Sequence, residues 1–317
     1  MRRTPVLWAM LCMAMLATLT TCAATAEVEH GTHVVPATTI QNKGSDTMVN
    51  IALGWAEAYG QIHPDMQIAV TGGGSGTGIA SLINGTVDMA NASRPIKPEE
   101  RSQAEVNNIN PREHVVAQDA IAIVVHPSNP VDRLTIPQLS AIFAGKFTNW
   151  RQIGGVNAPI VLLSRESNSG THVFFLEHVV RQGDSQDRTL FSPNTLLMPS
   201  SEGISAEVRH NPNAIGYDGL GYVTDDQKVV AVAADENAPY VLPTLDTVRD
   251  ESYPIARELY IYTAGEPEGA IQAYLRWIVG LEGQRIVEEL GFVPLPQESS
   301  TLSIQGAPDE THDHAAP

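Results

Sequence analysis

Small polar residues gather in three separate loops of the chain, and their types suit the binding of an anion. The loops are residues 44–47 (Gly-Ser-Asp-Thr), 72–78 (Gly-Gly-Gly-Ser-Gly-Thr-Gly) and 165–171 (Arg-Glu-Ser-Asn-Ser-Gly-Thr). Where a loop leads into a helix, hydroxyls, backbone N–H groups and the positive end of the helix dipole all favour negative charge. Three such loops predict that one tetrahedral oxyanion is held between them.

Apolar periodicity predicts the elements that position these loops. Residues 66–71 and 159–164 are short apolar runs of the kind found in buried strands, and residues 87–91 predict another strand. Helical spacing is carried by Met48, Ile51, Ala52, Trp55 and Tyr59 after the first loop and by Ile79, Leu82 and Ile83 after the second. We therefore predict helices over residues 47–60 and from the second loop to near Asn84, in an alternating α/β layer.

Two long apolar segments are predicted to cross between two lobes. Residues 115–125 form a long strand interrupted at Gln118 and Asp119, and residues 255–263 are its return. A helix near residues 136–144 and the third loop lie between them, and another helix (residues 271–278) follows. The chain is thus expected to enter a second lobe, complete it and return, with lobe 1 over 37–119 plus 258–296 and lobe 2 over 120–257. Ligands of layered α/β folds bind at the carboxyl ends of the strands.

Composition and charge narrow the classes of partner. The chain has 317 residues, 43% of them hydrophobic, and a formal net charge of −17, which argues against nucleic acid as a partner. The glycine-rich loop lacks the Lys of a nucleotide P-loop, and no HExxH or Cys/His cluster is present. We therefore predict a binding protein rather than an enzyme, without metal or cofactor.

The two ends of the chain have their own signals. Arg2 and Arg3 precede an apolar core at residues 6–19 and small residues up to Ala26, which predicts a signal peptide over residues 1–26. An imperfect lipobox ending at Cys22 leaves a membrane-anchored lipoprotein as the alternative. Both cysteines lie in this segment, and its removal takes the net charge from −17 to −19. The tail 297–317 is predicted to be disordered.

A set of ordered segments resembles the phosphate-binding proteins of high-affinity phosphate ABC transporters. The segments are residues 44–48, 72–79, 85–94, 147–150, 165–171, 214–217, 253–254 and 282–294. The resemblance runs from Thr39 to Pro296. It implies an α/β, two-lobed periplasmic-binding-protein fold (type II-like), with mixed sheets flanked by helices and a ligand cleft between lobes. It further implies an exported monomer that captures inorganic phosphate and delivers it to the permease of an ABC transporter.

The resemblance also implies which residues bind phosphate. They are Ser45, Asp46, Thr47, Ser75, Arg94, Arg165, Ser167, Ser169, Gly170 and Thr171. Some family members have Asp at the positions of Arg94 and Ser167, and the first of these accepts the proton of phosphate. Here the acceptor must lie elsewhere. Asp46 and Glu166 are the two carboxylates within the three loops. Because Arg165 could pair with its sequence neighbour Glu166, we assign the acceptor role to Asp46.

Several alternatives stay open at the level of sequence. The same fold could bind sulfate, molybdate or another oxyanion, or it could serve as a phosphate sensor or adhesion module without transport. Asp46 alone could be no more than the N-cap of its helix. The glycine-rich loop alone could be a flexible turn.

Overall fold

The computed structural model describes residues 38–296, which form ten strands and nine α-helices. The predicted export signal (1–26) and the predicted disordered tail (297–317) lie outside the described residues. Within residues 38–296, no helix is both long enough and apolar enough to cross a membrane.

The strands pair into one mixed sheet. They are β1 (Thr38–Gly44), β2 (Met66–Thr71), β3 (Met89–Ala92), β4 (Arg112–Val125), β5 (Arg133–Thr135), β6 (Val161–Arg165), β7 (Leu196–Met198), β8 (Ala214–Gly219), β9 (Lys228–Ala233) and β10 (Ala256–Thr263). Their order is β2-β1-β3-β10-β4-β8-β6-β7, while β9 pairs with β4 and β5. β1 is parallel to β2 and β3, whereas β10 is antiparallel to β3 and β4. The predicted mixture of strand directions is therefore present.

Helices flank this sheet, and two of them begin within the polar loops 72–78 and 165–171. They are α1 (Val49–Ile62), α2 (Ser75–Ile83), α3 (Pro98–Val106), α4 (Ile136–Phe143), α5 (Gly170–Phe175), α6 (Ser201–His210), α7 (Leu245–Arg249), α8 (Gly269–Ile278) and α9 (Leu281–Glu289). The first helix starts later than predicted, because a 3₁₀ turn occupies Asp46–Met48. Its buried side is the predicted one, formed by Ile51, Ala52, Trp55 and Tyr59.

β4 and β10 are the long strands at the middle of the sheet. β4 runs without a break through Gln118 and Asp119, so the predicted interruption is wrong. The irregularity instead lies in its pairing with β10, where the register shifts between Leu259 and Tyr260. The chain also returns to β4 near its C-terminus, where Val293 and Gln118 exchange two backbone hydrogen bonds (2.8 and 3.0 Å).

The buried apolar side chains divide along β4. Its first half contributes Val116 and Ala117 to a core with Trp55 and Tyr274, while its second half contributes residues such as Ile123 to another core. In that second core Phe175 stacks on Tyr217 with ring centroids 3.8 Å apart. One strand thus serves two apolar cores, as a crossing strand between two lobes would.

Candidate anion-binding site

The first loop leaves β1 and turns its hydroxyls inward. The N–H of Ser45 donates to the carbonyl of Asn91 (2.9 Å), because β1 and β3 are parallel with Gly44 beside Asn91. The hydroxyl of Ser45 donates to Ser93 Oγ (2.9 Å). Ser45 and Thr47 are both buried. The loop therefore presents hydroxyl groups to the protein interior rather than to solvent.

The second loop brings the start of α2 to the same place. The N–H of Gly74 donates to the carbonyl of Gly44 (2.9 Å), and the φ of +90° at Gly74 favours glycine. Ser75, the first residue of α2, accepts a hydrogen bond from the N–H of Ser93 (3.0 Å), and the two hydroxyl oxygens are 3.3 Å apart. Ser45, Ser93 and Ser75 thus form a chain of buried hydroxyls at the N-terminus of a helix.

The third loop packs against these serines from the other side. The hydroxyl of Ser169 accepts a hydrogen bond from the N–H of Thr171 (3.2 Å) and so caps α5. A Cβ atom on Gly170 would lie 2.4 Å from Ser75 Oγ and 2.5 Å from Ser93 Oγ. A larger residue would force these hydroxyls to move and to lose hydrogen bonds that hold the cluster together.

A buried arginine that sequence analysis did not select completes the cluster. Arg257, in β10, donates through Nη2 to Thr171 Oγ1 (3.0 Å) and Thr47 Oγ1 (3.4 Å), and these two hydroxyls are 2.8 Å apart. Its Nη1 donates to the carbonyl of Ser93 (3.0 Å). Asp119 Oδ2 accepts from Nη2 (2.8 Å) and Nε (3.2 Å) of the same guanidinium. We call Ser45, Thr47, Ser75, Ser93 and Thr171 the hydroxyl cluster.

The ion pair beside the hydroxyl cluster is buried on both sides. Asp119 is 0% exposed and Arg257 is 7% exposed. Burial raises the pKa of Asp119, and the charge and hydrogen bonds of Arg257 oppose that rise. The N–H of Leu220 donates to Asp119 Oδ1 (3.1 Å), and the guanidinium lies 5.5 Å from the ring centroid of Phe174. These contacts fix the orientation of the Arg257 guanidinium towards the threonine hydroxyls.

Arg165, a predicted phosphate ligand, is bound mainly by protein groups. Its Nη2 donates to Asp46 Oδ2 (2.8 Å) and to the carbonyl of Pro199 (3.0 Å), and its Nη1 donates to Ser201 Oγ (3.0 Å). The N–H of Gly73 donates to the other oxygen of Asp46 (2.8 Å). Both carboxylate oxygens of Asp46 therefore already accept hydrogen bonds, and the acceptor role assigned to Asp46 stays a prediction.

A histidine holds the strand end that carries Arg165. His172 Nδ1 lies 2.8 Å from the carbonyl of Arg165, so this nitrogen is the donor. Burial lowers the pKa of His172, which favours the neutral ring. Ser164 Oγ lies 3.1 Å from the same nitrogen and 2.5 Å from the hydroxyl of Tyr217. Ser164 and Tyr217 are buried and His172 is partly buried, and the network joins β6, α5 and β8.

The other predicted residues, Arg94 and Ser167, form no hydrogen bond with the hydroxyl cluster. Arg94 pairs with Glu100 through both terminal nitrogens (2.6 and 2.8 Å), and its Nε is buried without a hydrogen-bond partner among residues 38–296. Ser167 is exposed. Glu166 is exposed as well, and Arg165 pairs with Asp46 instead of this neighbour.

The structure thus brings most of the predicted set together and adds three residues to it. The predicted residues in or against the hydroxyl cluster are Ser45, Thr47, Ser75, Ser169, Gly170 and Thr171. The added residues are Ser93, Asp119 and Arg257. A signal for the last two existed, because each is a charged residue within a long apolar segment predicted to cross between the lobes. In the described part of the chain, no group of three or more His, Cys, Asp or Glu residues could hold a metal ion.

Sequence comparisons place the chain in a family. A family model described as a PBP superfamily domain matches residues 29–282. The phosphate-binding protein PstS of Pseudomonas aeruginosa is 31% identical over 283 residues, covering 84% of this chain and 86% of that relative. The chain belongs to the PBP superfamily. PstS of Staphylococcus aureus is likewise 31% identical over 264 residues, covering 81% of this chain and 78% of its own length.

Solved structures of this superfamily agree with the fold. A putative phosphate ABC transporter substrate-binding protein from Clostridium perfringens, solved with bound phosphate, has a TM-score of 0.73 and 31% identity, covering 81% of this chain and all of that one. An ABC-type phosphate transport receptor from Vibrio cholerae has a TM-score of 0.64 and 28% identity, with coverage of 81% and 100%. The predicted two-lobed periplasmic-binding-protein fold is confirmed.

The close packing of Gly170 against Ser75 and Ser93 gives a first prediction. We expect Gly170→Ala to weaken phosphate binding by at least about tenfold, because the added methyl group must displace Ser75 or Ser93. Titration calorimetry on phosphate-stripped protein measures the loss, and a thermal melt checks folding. Gly60→Ala is the control, because a Cβ there meets nothing within 4 Å. Equal affinities for both variants would show that phosphate does not depend on this packing.

Proposed function

We propose that this chain is a solute-binding protein that captures inorganic phosphate outside the cytoplasm and delivers it to the permease of an ABC transporter. The observation that carries the proposal is the buried hydroxyl cluster, which meets the N-terminus of α2 on one side and Arg257 on the other. Relatives named phosphate-binding protein and a related structure with bound phosphate support it.

The charges around the hydroxyl cluster determine which groups can stabilise a bound anion. Arg257, Arg165 and Arg94 each have a carboxylate partner, at 2.8, 2.8 and 2.6 Å. The arginines therefore bring little net positive charge, and much of the stabilisation must come from hydroxyl and backbone N–H dipoles. Hydrogen bonds to an ionised acceptor are stronger than neutral ones, so several such dipoles suffice for a tightly bound anion.

We further propose that phosphate binds between two lobes, with lobe 1 formed by residues 37–119 and 258–296 and lobe 2 by residues 120–257. Both boundaries fall in the crossing strands β4 and β10, whose side chains serve two apolar cores. The cluster draws Thr47 from lobe 1 and Thr171 from lobe 2. An anion that bonds both threonines favours the closed arrangement, since only closure supplies both contacts.

The cellular setting follows from the sequence ends and the relatives. We propose export of the chain by its N-terminal segment to the periplasm, followed either by cleavage after Ala26 or by lipid anchoring at Cys22. The protein is proposed to act as a monomer. The relatives are named as binding proteins, and we propose that this chain catalyses no reaction. No feature of the site favours sulfate or molybdate as the physiological ligand, nor a sensor or adhesion role over transport.

Arg257 supplies the sharpest test of the site. We expect Arg257→Lys to weaken phosphate binding by at least about tenfold, because a lysine ammonium cannot bond Asp119, Ser93 and the threonine hydroxyls in one plane. Calorimetric titration of phosphate-stripped protein measures the change. Arg285→Lys, at an exposed arginine of α9, should bind like the parent. Parent-like affinity of Arg257→Lys would remove this residue from the site.

Asp119 is a second candidate for the acceptor of the phosphate proton. Among the described carboxylates with an arginine partner, it is the one whose partner also bonds the hydroxyl cluster. Near pH 7 phosphate retains a proton that sulfate lacks, so a buried acceptor rejects sulfate. We expect Asp119→Asn to raise sulfate affinity relative to phosphate by at least about tenfold. An unchanged ratio in paired titrations would leave the role to Asp46, as predicted from sequence.

A further inference from the structure

Asp46 and Arg165 form an ion pair between the two proposed lobes. Asp46 follows β1 in lobe 1, and Arg165 ends β6 in lobe 2, 119 positions later. Their side chains are 17% and 1% exposed, so the pair is largely shielded from water. Separating the lobes would break this ion pair, so the pair favours the closed arrangement.

The backbone of Asp46 is tied across the same boundary. The hydroxyl of Tyr222, in lobe 2, donates to the carbonyl of Asp46 (2.8 Å). Asp46 Oδ1 meanwhile accepts from the N–H of Gly73 in lobe 1. One residue therefore joins the glycine-rich loop of lobe 1 to two separate elements of lobe 2.

A second contact between the proposed lobes lies beside this ion pair and is likewise made by protein groups. The N–H of Gly76 donates to the carbonyl of Asn168 (3.1 Å), and Asn168 Nδ2 donates to the carbonyl of Gly73 (2.9 Å). A Cβ atom on Gly74 would lie 2.8 Å from the Asn168 carbonyl oxygen. The third loop therefore packs directly against the glycine-rich loop through one backbone hydrogen bond and one hydrogen bond from the Asn168 side chain.

None of the hydrogen bonds that Arg165 forms within residues 38–296 involves the hydroxyl cluster. Its partners are Asp46, Ser201 and the carbonyls of Met198 and Pro199. Arg257, by contrast, bonds Thr47 and Thr171 directly. Arg165 and Arg257 thus have different partners: Arg257 bonds hydroxyls of the cluster, and Arg165 bonds groups outside it.

We propose that Asp46 and Arg165 are positioning residues that latch the two lobes together, and that they set how long phosphate stays bound rather than which anion binds. This inference rests on the proposed function. Opening must break the ion pair before the anion can leave, so the latch slows dissociation. Association starts from the open form, in which the pair is not yet made, so the association rate depends on it little.

The latch and the acceptor role predicted from sequence differ in what the loss of the Asp46 charge does. Loss of an acceptor changes the ratio of sulfate to phosphate affinity, because sulfate has no proton to offer. Loss of a latch shortens the stay of every bound anion alike and leaves that ratio unchanged. It also shifts the phosphate-saturated protein towards the open form.

The test compares Asp46→Asn with the parent in three measurements. Radiolabelled phosphate chased with unlabelled phosphate gives the dissociation rate, which we expect to rise at least about tenfold. Titrations with phosphate and sulfate should give the parent's affinity ratio. Small-angle scattering at saturating phosphate should show a larger radius of gyration. Asp46→Glu, which keeps the charge, should recover part of the slow dissociation.

The chain offers a control in Glu266→Gln. This variant breaks the ion pair of Arg112 and Glu266, whose side chains are 48% and 67% exposed and both belong to lobe 1, away from the hydroxyl cluster. It should change neither the dissociation rate nor the scattering curve. If Asp46→Asn does not fold, Arg165→Gln removes the same ion pair from the other side and takes its place.

Three outcomes separate the inference from the function on which it rests. A parent-like dissociation rate in a folded Asp46→Asn variant overturns the latch. A rise in relative sulfate affinity overturns it in favour of the acceptor role. A parent protein that binds no phosphate at millimolar concentration overturns the proposed function itself, whatever the variants do.

Discussion

The buried ion pair between Arg257 and Asp119 is the interaction on which the site depends. It lies where β4 and β10 run side by side, with Asp119 opposite Arg257 in the register of the two strands. The Asp119 carboxylate and a backbone carbonyl fix the plane of the guanidinium. In that orientation Nη2 also donates to the hydroxyls of Thr47 and Thr171, which come from different parts of the chain.

Fixed dipoles rather than net positive charge explain how so acidic a chain can bind an anion. Its surface carboxylates are screened by salt over roughly 10 Å, whereas a buried ligand responds to the dipoles nearest to it. Hydroxyls and N–H groups can face an anion without the cost of an uncompensated buried charge. Fixed dipoles also have a definite geometry, so the shape of the ligand matters as well as its charge.

Local chemistry made much of this site predictable from sequence. The Gly, Ser and Thr loops identified Ser75 and Gly170, since these residue types suit helix starts and close backbone approach. Periodicity located the helices and strands to within a few residues. Such patterns could not predict which charged residues form ion pairs. Arg165 is next to Glu166 in sequence but pairs with Asp46, 119 positions away. Arg257 and Asp119, 138 positions apart, meet only because β4 and β10 pair.

A crystal structure of the purified protein grown with inorganic phosphate is the most direct test of the proposed site. We expect one phosphate per chain, within hydrogen-bond distance of Arg257 and of the Thr47 and Thr171 hydroxyls, with Asp119 still paired to Arg257. Phosphate bound by Arg94 or Arg165 instead, with the hydroxyl cluster unchanged and without contact to it, would show that Arg257 and the hydroxyl cluster do not form the site.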